Sequence, residues 1–209
     1  MRIEAITVSI HFSDYLIHCV GNNKHFDRWI IVTVADDEKT IDICKQHNIE
    51  YILSKNIYIN RYDNGPAMFA KGRAINEGLE RLKKNDWLVH IDSDIILPKY
   101  ARKVIDGTDL SIKKLYCSKG RYMAKNIADL SKPMEELPFS AEKTWMGFFQ
   151  LWHSNASQVY HAKSSNAERD DVGFRRRWKR SRRGIVKFSC IHLGPTRENW
   201  NGRISPGFI

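Results

Sequence analysis

Apolar residues in this chain come in short, dense runs separated by polar, helix-forming stretches. Ile3-Glu-Ala-Ile-Thr-Val-Ser-Ile10 reads as a first strand. His11-Phe-Ser-Asp-Tyr-Leu16 follows, and Ser13 or Asp14 is placed to cap a helix running to about Asn22. Trp29-Ile-Ile-Val-Thr-Val34 is a continuous apolar, β-branched run, the pattern of a strand buried on both faces. Asp36-Asp-Glu opens a short helix, Lys39–His47, with acids in the first turn where the helix dipole favours them. Ile49-Glu-Tyr-Ile-Leu53 is a third strand candidate, and a loop runs from Ser54 to Pro66. Met68–Lys84 carries Phe69, Ile75, Leu79 and Leu82 at helical spacing. Trp87-Leu-Val-His-Ile then forms another buried strand. Strands alternating with helices over residues 1–95 predict βαβ units and a mostly parallel sheet flanked by helices.

The second half is less regular. Tyr116–Met123, Trp145–Trp152 and Ile185–His192 read as strands, and 162–180 contains a helix. Lys132-Pro-Met-Glu-Glu-Leu-Pro138 is a loop, and the stretch after Gly194 is irregular. The simplest organisation is one domain over 1–209, with its halves at 1–95 and 96–209.

The candidate chemistry lies where the fourth long strand ends, at Asp92-Ser93-Asp94. Residues i and i+2 of a strand share a face. Two neighbouring carboxylates repel each other and lose hydration unless a cation lies close. Ligands of parallel sheets sit at this carboxyl edge, and hard oxygen donors suit Mg²⁺ or Mn²⁺ with substrate phosphates. The alternative is a strand-end turn with one Asp capping a helix.

Hydrophobic residues at 42% and charged residues at 28% are ordinary for a globular protein. No run approaches the roughly 18 apolar residues of a membrane helix. The N-terminus does not look like a signal peptide, so a cytoplasmic location is expected. Cys19, Cys44, Cys117 and Cys190 are scattered and read as buried thiols. The net charge is +10, and seven basic residues crowd into Arg175–Arg183. Without them the balance falls to +3, so the charge belongs to one segment.

The ordered pieces resemble the GT-A fold of nucleotide-sugar-dependent glycosyltransferases, family-2-like with a DxD motif. They are Ser13-Asp-Tyr-Leu16, Thr33-Val-Ala-Asp36-Asp37, Lys71-Gly-Arg-Ala-Ile-Asn-Glu-Gly-Leu79, Asp92-Ser-Asp94, Gly147-Phe-Phe-Gln-Leu-Trp-His153, Glu168-Arg-Asp-Asp171 and Ile191-His-Leu-Gly194. The likeness spans nearly the whole chain. It implies an α/β, Rossmann-like GT-A domain whose first half binds the nucleotide sugar and whose second half binds the acceptor. The implied reaction is metal-dependent transfer of a hexosyl or pentosyl group from a UDP-sugar to a hydroxyl, with inversion.

The resemblance also assigns residues. Asp94 is the first choice as ligand to Mn²⁺ or Mg²⁺, Asp92 binds the metal or the ribose, and His192 completes the sphere. Ile10, Phe12, Thr33, Asp36 or Asp37, Lys71, Arg73 and Ser93 line the donor site, with Asn76 on the Arg73 face. Asp170 or Asp171 is the general base. Arg169 interrupts the commoner Glu-Asp spelling and leaves open which Asp acts. Gly147 brings the acceptor strand close, and Trp145, Phe148 and Trp152 are candidates to stack on a sugar. Core packing or surface solvation is the plainer role for each.

The arginine run exceeds what a diphosphate needs. It suggests an anionic acceptor, such as nucleic acid, an acidic glycan or a phospholipid surface, held through Arg175–Arg183, with Trp178 stacking on a base or sugar. Small enzymes of this type in bacteriophages glycosylate hydroxymethylated bases, which makes DNA one candidate. Two competing readings are a nucleotidyltransferase and a basic nucleic-acid-binding module. The first lacks its glycine-rich loop at His11-Phe-Ser-Asp-Tyr15. The second predicts no donor binding.

Overall fold

The computed structural model describes residues 1–55, 57–59, 68–141, 147–156, 160, 167–194, 199 and 203–209. Chain order is β1 (Ile3–Val8), α1 (Ser13–Cys19), β2 (Arg28–Thr33), α2 (Glu38–Gln46), β3 (Glu50–Leu53), β4 (Tyr58–Ile59), β5 (Met68–Phe69), α3 (Lys71–Arg81) and β6 (Trp87–Ile91). It continues with β7 (Ile95–Ile96), α4 (Ala101–Asp106), β8 (Leu115–Ala124), β9 (Phe139–Ala141), β10 (Phe149–His153), α5 (Ala167–Arg176) and β11 (Arg183–Leu193). One sheet runs β3-β2-β1-β6-β10-β8-β11-β7, with β9 on β8, while β4 and β5 form a separate pair.

The first half is parallel throughout, β3 to β2 to β1 to β6. β10 then enters antiparallel to β6, β8 antiparallel to β10, and β11 parallel to β8. The carboxyl ends of β1, β2, β6, β8 and β11 therefore meet the start of β10 along one edge. The register fixes the opposite edge too: Arg183 opens β11 beside Leu115, Leu115 opposes Trp152, and Trp152 opposes Leu88 near the start of β6.

The central strands are buried on both faces, with successive residues packing on opposite sides. Ile30 and Val32 pack with α3 and α5 on one face, while Ile31 packs with Val89, Ile91 and Phe188 on the other. This explains the unbroken apolar run of β2, since both faces are covered. Gly78 lets α3 lie directly on the sheet, because a Cβ there would come 2.9 Å from Ile6 Cδ1.

Several boundaries differ from the sequence expectation. Helix α3 begins at Lys71, because Met68 and Phe69 pair with β4 and the Ala70 N–H donates to the Ile57 carbonyl at 2.6 Å. Helix α1 ends at Cys19 and tightens into a 3₁₀ turn, Val20–His25. Neither Ser13 nor Asp14 caps it. The Asp14 carboxylate instead receives both guanidinium arms of Arg203, at 2.9 and 2.7 Å, and the Phe208 N–H at 2.6 Å. The Lys132–Pro138 loop contains a 3₁₀ turn, Met134–Glu136. Most of the expected 54–66 loop, Trp145, residues 162–166 and much of the tail after Gly194 lie outside the described residues.

Candidate active site

The Asp92-Ser93-Asp94 turn is held from below and from both sides. Thr7 donates its hydroxyl to the Ile91 carbonyl at 2.8 Å and accepts the Trp29 indole N–H at 3.0 Å. The Asp92 N–H donates to Phe148 O at 3.0 Å, and the Leu193 N–H donates to Asp94 O at 2.8 Å. Buried Asn22 donates to Ile95 O at 2.7 Å and accepts from the Leu97 N–H at 2.9 Å. Every neighbour of the turn is thus fixed by a different element.

The two carboxylates face different partners. Asp92 Oδ1 lies 2.7 Å from Lys71 Nζ, and His90 Nε2 stands 3.3 Å away without hydrogen-bond alignment. Burial opposes the charge on Asp92, but Lys71 and His90 overcome it and hold the carboxyl well below its usual range. Asp94 Oδ2 lies 3.6 Å from His192 Nε2. Burial raises the Asp94 carboxyl, with His192 opposing and Asp92 adding to the rise. Burial likewise lowers the His192 pKa, favouring neutral imidazole. Asp94 Oδ1 and His192 Nδ1 are buried with no hydrogen-bond partner.

These donors fit a divalent ion. A ligating histidine must be neutral and a ligating carboxylate ionised. Mg²⁺ is commonly held by one or two carboxylates plus substrate phosphates, not by a full protein cage. Among the described residues no group of three or more His, Cys, Asp or Glu could hold an ion, so Asp92, Asp94 and His192 do not make a closed three-ligand set.

Lys71 is nearly buried and bridges two elements, donating also to Asp171 Oδ2 at 3.0 Å and Oδ1 at 3.2 Å. Burial pushes the Asp171 carboxyl up while Lys71 pulls it down, and the net direction is upward. Gly147 is the space that admits Asp171, since a Cβ there would stand 2.1 Å from its Cγ.

Asp170 does something else. It is fully buried, and its Oδ2 accepts the Gly72 N–H at 2.7 Å. Ala70, at the start of α3, has no capping side chain, so a carboxylate from α5 serves that helix terminus. Burial raises the Asp170 pKa to about 7, against the pull of that hydrogen bond. Of the two candidate bases, only Asp171 opens towards the Lys71–Asp92 cluster.

The donor-side expectations divide. Asp37, not Asp36, is buried, and it organises the edge loops. It accepts from the His11 N–H at 2.6 Å, the Thr33 hydroxyl at 3.1 Å and the Thr40 N–H at 3.3 Å. The Thr33 hydroxyl therefore donates within the protein, and Thr33 itself is buried. Asp36 is exposed beside it. His11 takes a left-handed φ of 58°, held by the Asp37 bond. Ile10 is buried core, and Ser93 is buried within the turn. The Phe12 ring has Arg203 over it at 4.8 Å. Arg73 is half-buried on the first turn of α3. Asn76 clasps the Tyr160 backbone, donating at 3.0 Å and accepting at 2.9 Å, which ends its pairing with Arg73.

Trp152 and Trp178 belong to the core beneath α5, where Phe174 stacks on Tyr160 at 4.1 Å. Neither tryptophan presents a face to a ligand, and Phe148 is also buried. The sequence reading missed His90 and Arg121. Strand parity held the signal for His90: a lone polar residue two before Asp92 in a buried strand shares its face.

The arginine run is distant from this cluster. Arg176, Arg177, Lys179, Arg180 and Arg182 are exposed, and the Arg183 guanidinium donates twice to Trp178 O. Helix α5 spans about 15 Å, and β11 carries Arg183 roughly 25–30 Å from His192. The run therefore lies at the opposite sheet edge. A cavity of about 400 Å³ lined by Glu168, Arg169, Val172, Gly173 and Arg176 flanks α5 between its two ends.

At the level of sequence, neither a family model nor a curated protein matches this chain. Solved structures do. Glucosyl-3-phosphoglycerate synthase from Mycobacterium tuberculosis, in complex with Mn²⁺, UDP and glucosyl-3-phosphoglycerate, aligns with a TM-score of 0.62 at 12% identity, covering 94% of this chain and 73% of that one. Mannosyl-3-phosphoglycerate synthase from Rubrobacter xylanophilus aligns at 0.56 and 11%, covering 95% and 68%. S. aureus TarS aligns at 0.56 and 11%, covering 92% of this chain and 37% of that one. The fold is of the GT-A type. No helix among the described residues is long and apolar enough to cross a membrane.

Proposed function

We propose that this chain is a metal-dependent glycosyltransferase that moves a sugar from a UDP-linked donor to an acceptor hydroxyl with inversion. The observation that carries this is the meeting of Asp94–His192, Asp92–Lys71 and Asp171 on one sheet edge. The fold, shared with structures that hold UDP and Mn²⁺, supports the same reading. Residues 1–95 serve the donor, and 96–209 supply the acceptor side.

Asp94 and His192 would hold Mn²⁺ or Mg²⁺, with Asp92 turned to the metal or ribose through the oxygen Lys71 does not use. Such an ion stabilises charge on the departing diphosphate. Asp171 is the general base, kept in place by Lys71 and Gly147. It accepts the proton of the acceptor hydroxyl as that oxygen bonds to the anomeric carbon. The anomeric carbon–oxygen bond to the diphosphate breaks, and its electron pair leaves with the diphosphate. Asp170 acts indirectly, by fixing the start of α3 and so Lys71. Asp36 and Arg73 remain the accessible polar groups for ribose or phosphate.

The acceptor in this reading is an extended polyanion such as DNA. The exposed arginines begin about 7.5 Å beyond Asp171 along α5 and lead away from the reacting hydroxyl. They can hold a distant part of a long chain lying along α5, where the flanking cavity runs. Sugar transfer in this reading uses the first half of α5, and polyanion binding its C-terminal end and the run that follows.

The deciding experiment is a thermal-shift and calorimetric panel of nucleoside diphosphates and their sugars, with and without Mn²⁺, on the wild type and Asp94→Asn. Metal-dependent stabilisation by one donor, lost in the variant, is the expected result. Absence of any donor binding, with salt-sensitive DNA binding intact, would replace the transferase by a nucleic-acid-binding module.

A further inference from the structure

Arg121 lies in the middle of β8, only 9% exposed, between Cys190 of β11 and Ser140 of β9. Its guanidinium stands over the Phe148 ring, with 5.1 Å from Cζ to the centroid. A guanidinium stays charged at every accessible pH, and burying it without an anion is costly. Other arginines of this chain meet a carboxylate: Arg28 reaches Glu50, Arg102 reaches Asp27 and Arg203 reaches Asp14. Arg121 has no ion pair among the described residues, and its Nε is buried without a hydrogen-bond partner. Stacking on Phe148 fixes the plane of the group but neutralises nothing.

Its position connects it to the candidate site. Cys190, its cross-strand partner, is two residues from His192 on the same strand face. Phe148, its stacking partner, accepts the Asp92 N–H and follows Gly147, which abuts Asp171. Arg121 thus adjoins both the Asp94–His192 pair and the corner that carries the base.

We infer that Arg121, stacked on Phe148, is a built-in receptor for a phosphate or carboxylate group presented to this site. The planar fork matches such an anion with two parallel hydrogen bonds. The inference rests on the transferase reading for its meaning, and two sources share the chemistry: the donor diphosphate, or an anionic group beside the acceptor hydroxyl. In either case the counter-charge that Arg121 does not meet among the described residues arrives with the substrate.

The test uses inorganic phosphate at low ionic strength, on the full chain carrying Arg176, Arg177, Arg180 and Arg182 replaced by Ser, which silences the distant patch. Phosphate is expected to raise the melting temperature of this parent. Adding Arg121→Gln should weaken the phosphate response at least about tenfold, with the circular dichroism unchanged, and Arg121→Lys should restore part of it. Should the Gln variant not fold, Phe148→Leu in the same parent gives the second reading, with phosphate binding weakened by loss of the stack. Repeating the titration with UDP and Mg²⁺ at saturation separates the sources. Loss of the phosphate response assigns Arg121 to the donor diphosphate, and its persistence assigns Arg121 to the acceptor. A parent that ignores phosphate, or a folded Gln variant that responds like the parent, overturns the inference. A phosphate response without any UDP–metal response would instead overturn the transferase reading and leave the receptor standing.

Discussion

The two ends of α5 carry opposite charge and live in opposite surroundings. In the first half of α5, buried Asp170 and half-buried Asp171 meet α3, Lys71 and Gly147. Arg176 closes the helix exposed, Arg177 follows it, and the run continues to Arg182 in solvent. Acids and arginines a few residues apart in sequence look like mutual neutralisation. Helix spacing alone would allow such pairing, since Arg175 follows Asp171 by four residues, yet the cation that Asp171 meets at 3.0 Å is Lys71 of α3. Charges clustered in sequence are thus divided between a chemical end and a surface end.

Breaking the acid end should have the largest effect. Asp171→Asn is expected to lower the transfer rate by about 10²–10⁴-fold, the usual contribution of a general base, while donor affinity stays within a few fold. Steady-state kinetics beside calorimetry checks this, and an unchanged rate would remove Asp171 from the chemistry. Next comes the boundary between the two ends. Trp178→Ala, within the arginine run but in the core, should cost about 3–5 kcal/mol, whereas Arg177→Ser beside it should stay within about 0.5 kcal/mol. Urea denaturation of both variants tests it. Equal effects would mean that Trp178 is not core.

Gly147→Ala forces a Cβ into the Asp171 carboxyl. Overpacking of about 1–3 kcal/mol is expected, together with a rate loss on the order of 10²-fold from the displaced base. At the surface end, replacing Arg176, Arg177, Arg180 and Arg182 by Ser should leave UDP–Mn²⁺ binding untouched. The log–log salt slope of duplex binding should fall by about 3.6, or about 0.9 for each arginine removed, as measured by fluorescence anisotropy. Duplex binding unaffected by these changes would detach the patch from DNA.

The smallest effect concerns Asp170. Its carboxyl titrates at about 7 in the folded protein, against about 3.9 when unfolded. Between these values the folded state keeps a proton that the unfolded chain has lost. The group's contribution is therefore full below about pH 4 and declines as pH rises through 7. Melting temperatures of the wild type should drop relative to Asp170→Asn over that window, and parallel profiles would deny the raised pKa.

Much of the first half was legible in sequence because its strands are buried on both faces and parallel. Ile30, Ile31 and Val32 must all be apolar there. The second half is harder because its strands pair out of order and its short pieces lack a periodic signature. Two-residue β7, three-residue β9 and six-residue α4 went unseen. Within the candidate site, Asp92 and Asp94 stood out by spacing alone. The Asp170 bond to Gly72 did not, since it joins residues 98 apart. Trp178 looked like a surface aromatic because its sequence neighbours are charged, yet the turn that ends α5, with the Trp178 N–H on Arg175 O, folds it into the core with Phe174.

The Asp94–His192 pair has a consequence for how the protein comes into being. One member ends the fourth long strand, and the other lies in the last one, tied in by the Leu193 N–H to Asp94 O. A nascent chain still on the ribosome, with the parallel half complete, would lack the pair altogether. In the proposed reading, ion binding at this place requires β11 to have paired beside β8, so it would report the docking of that strand.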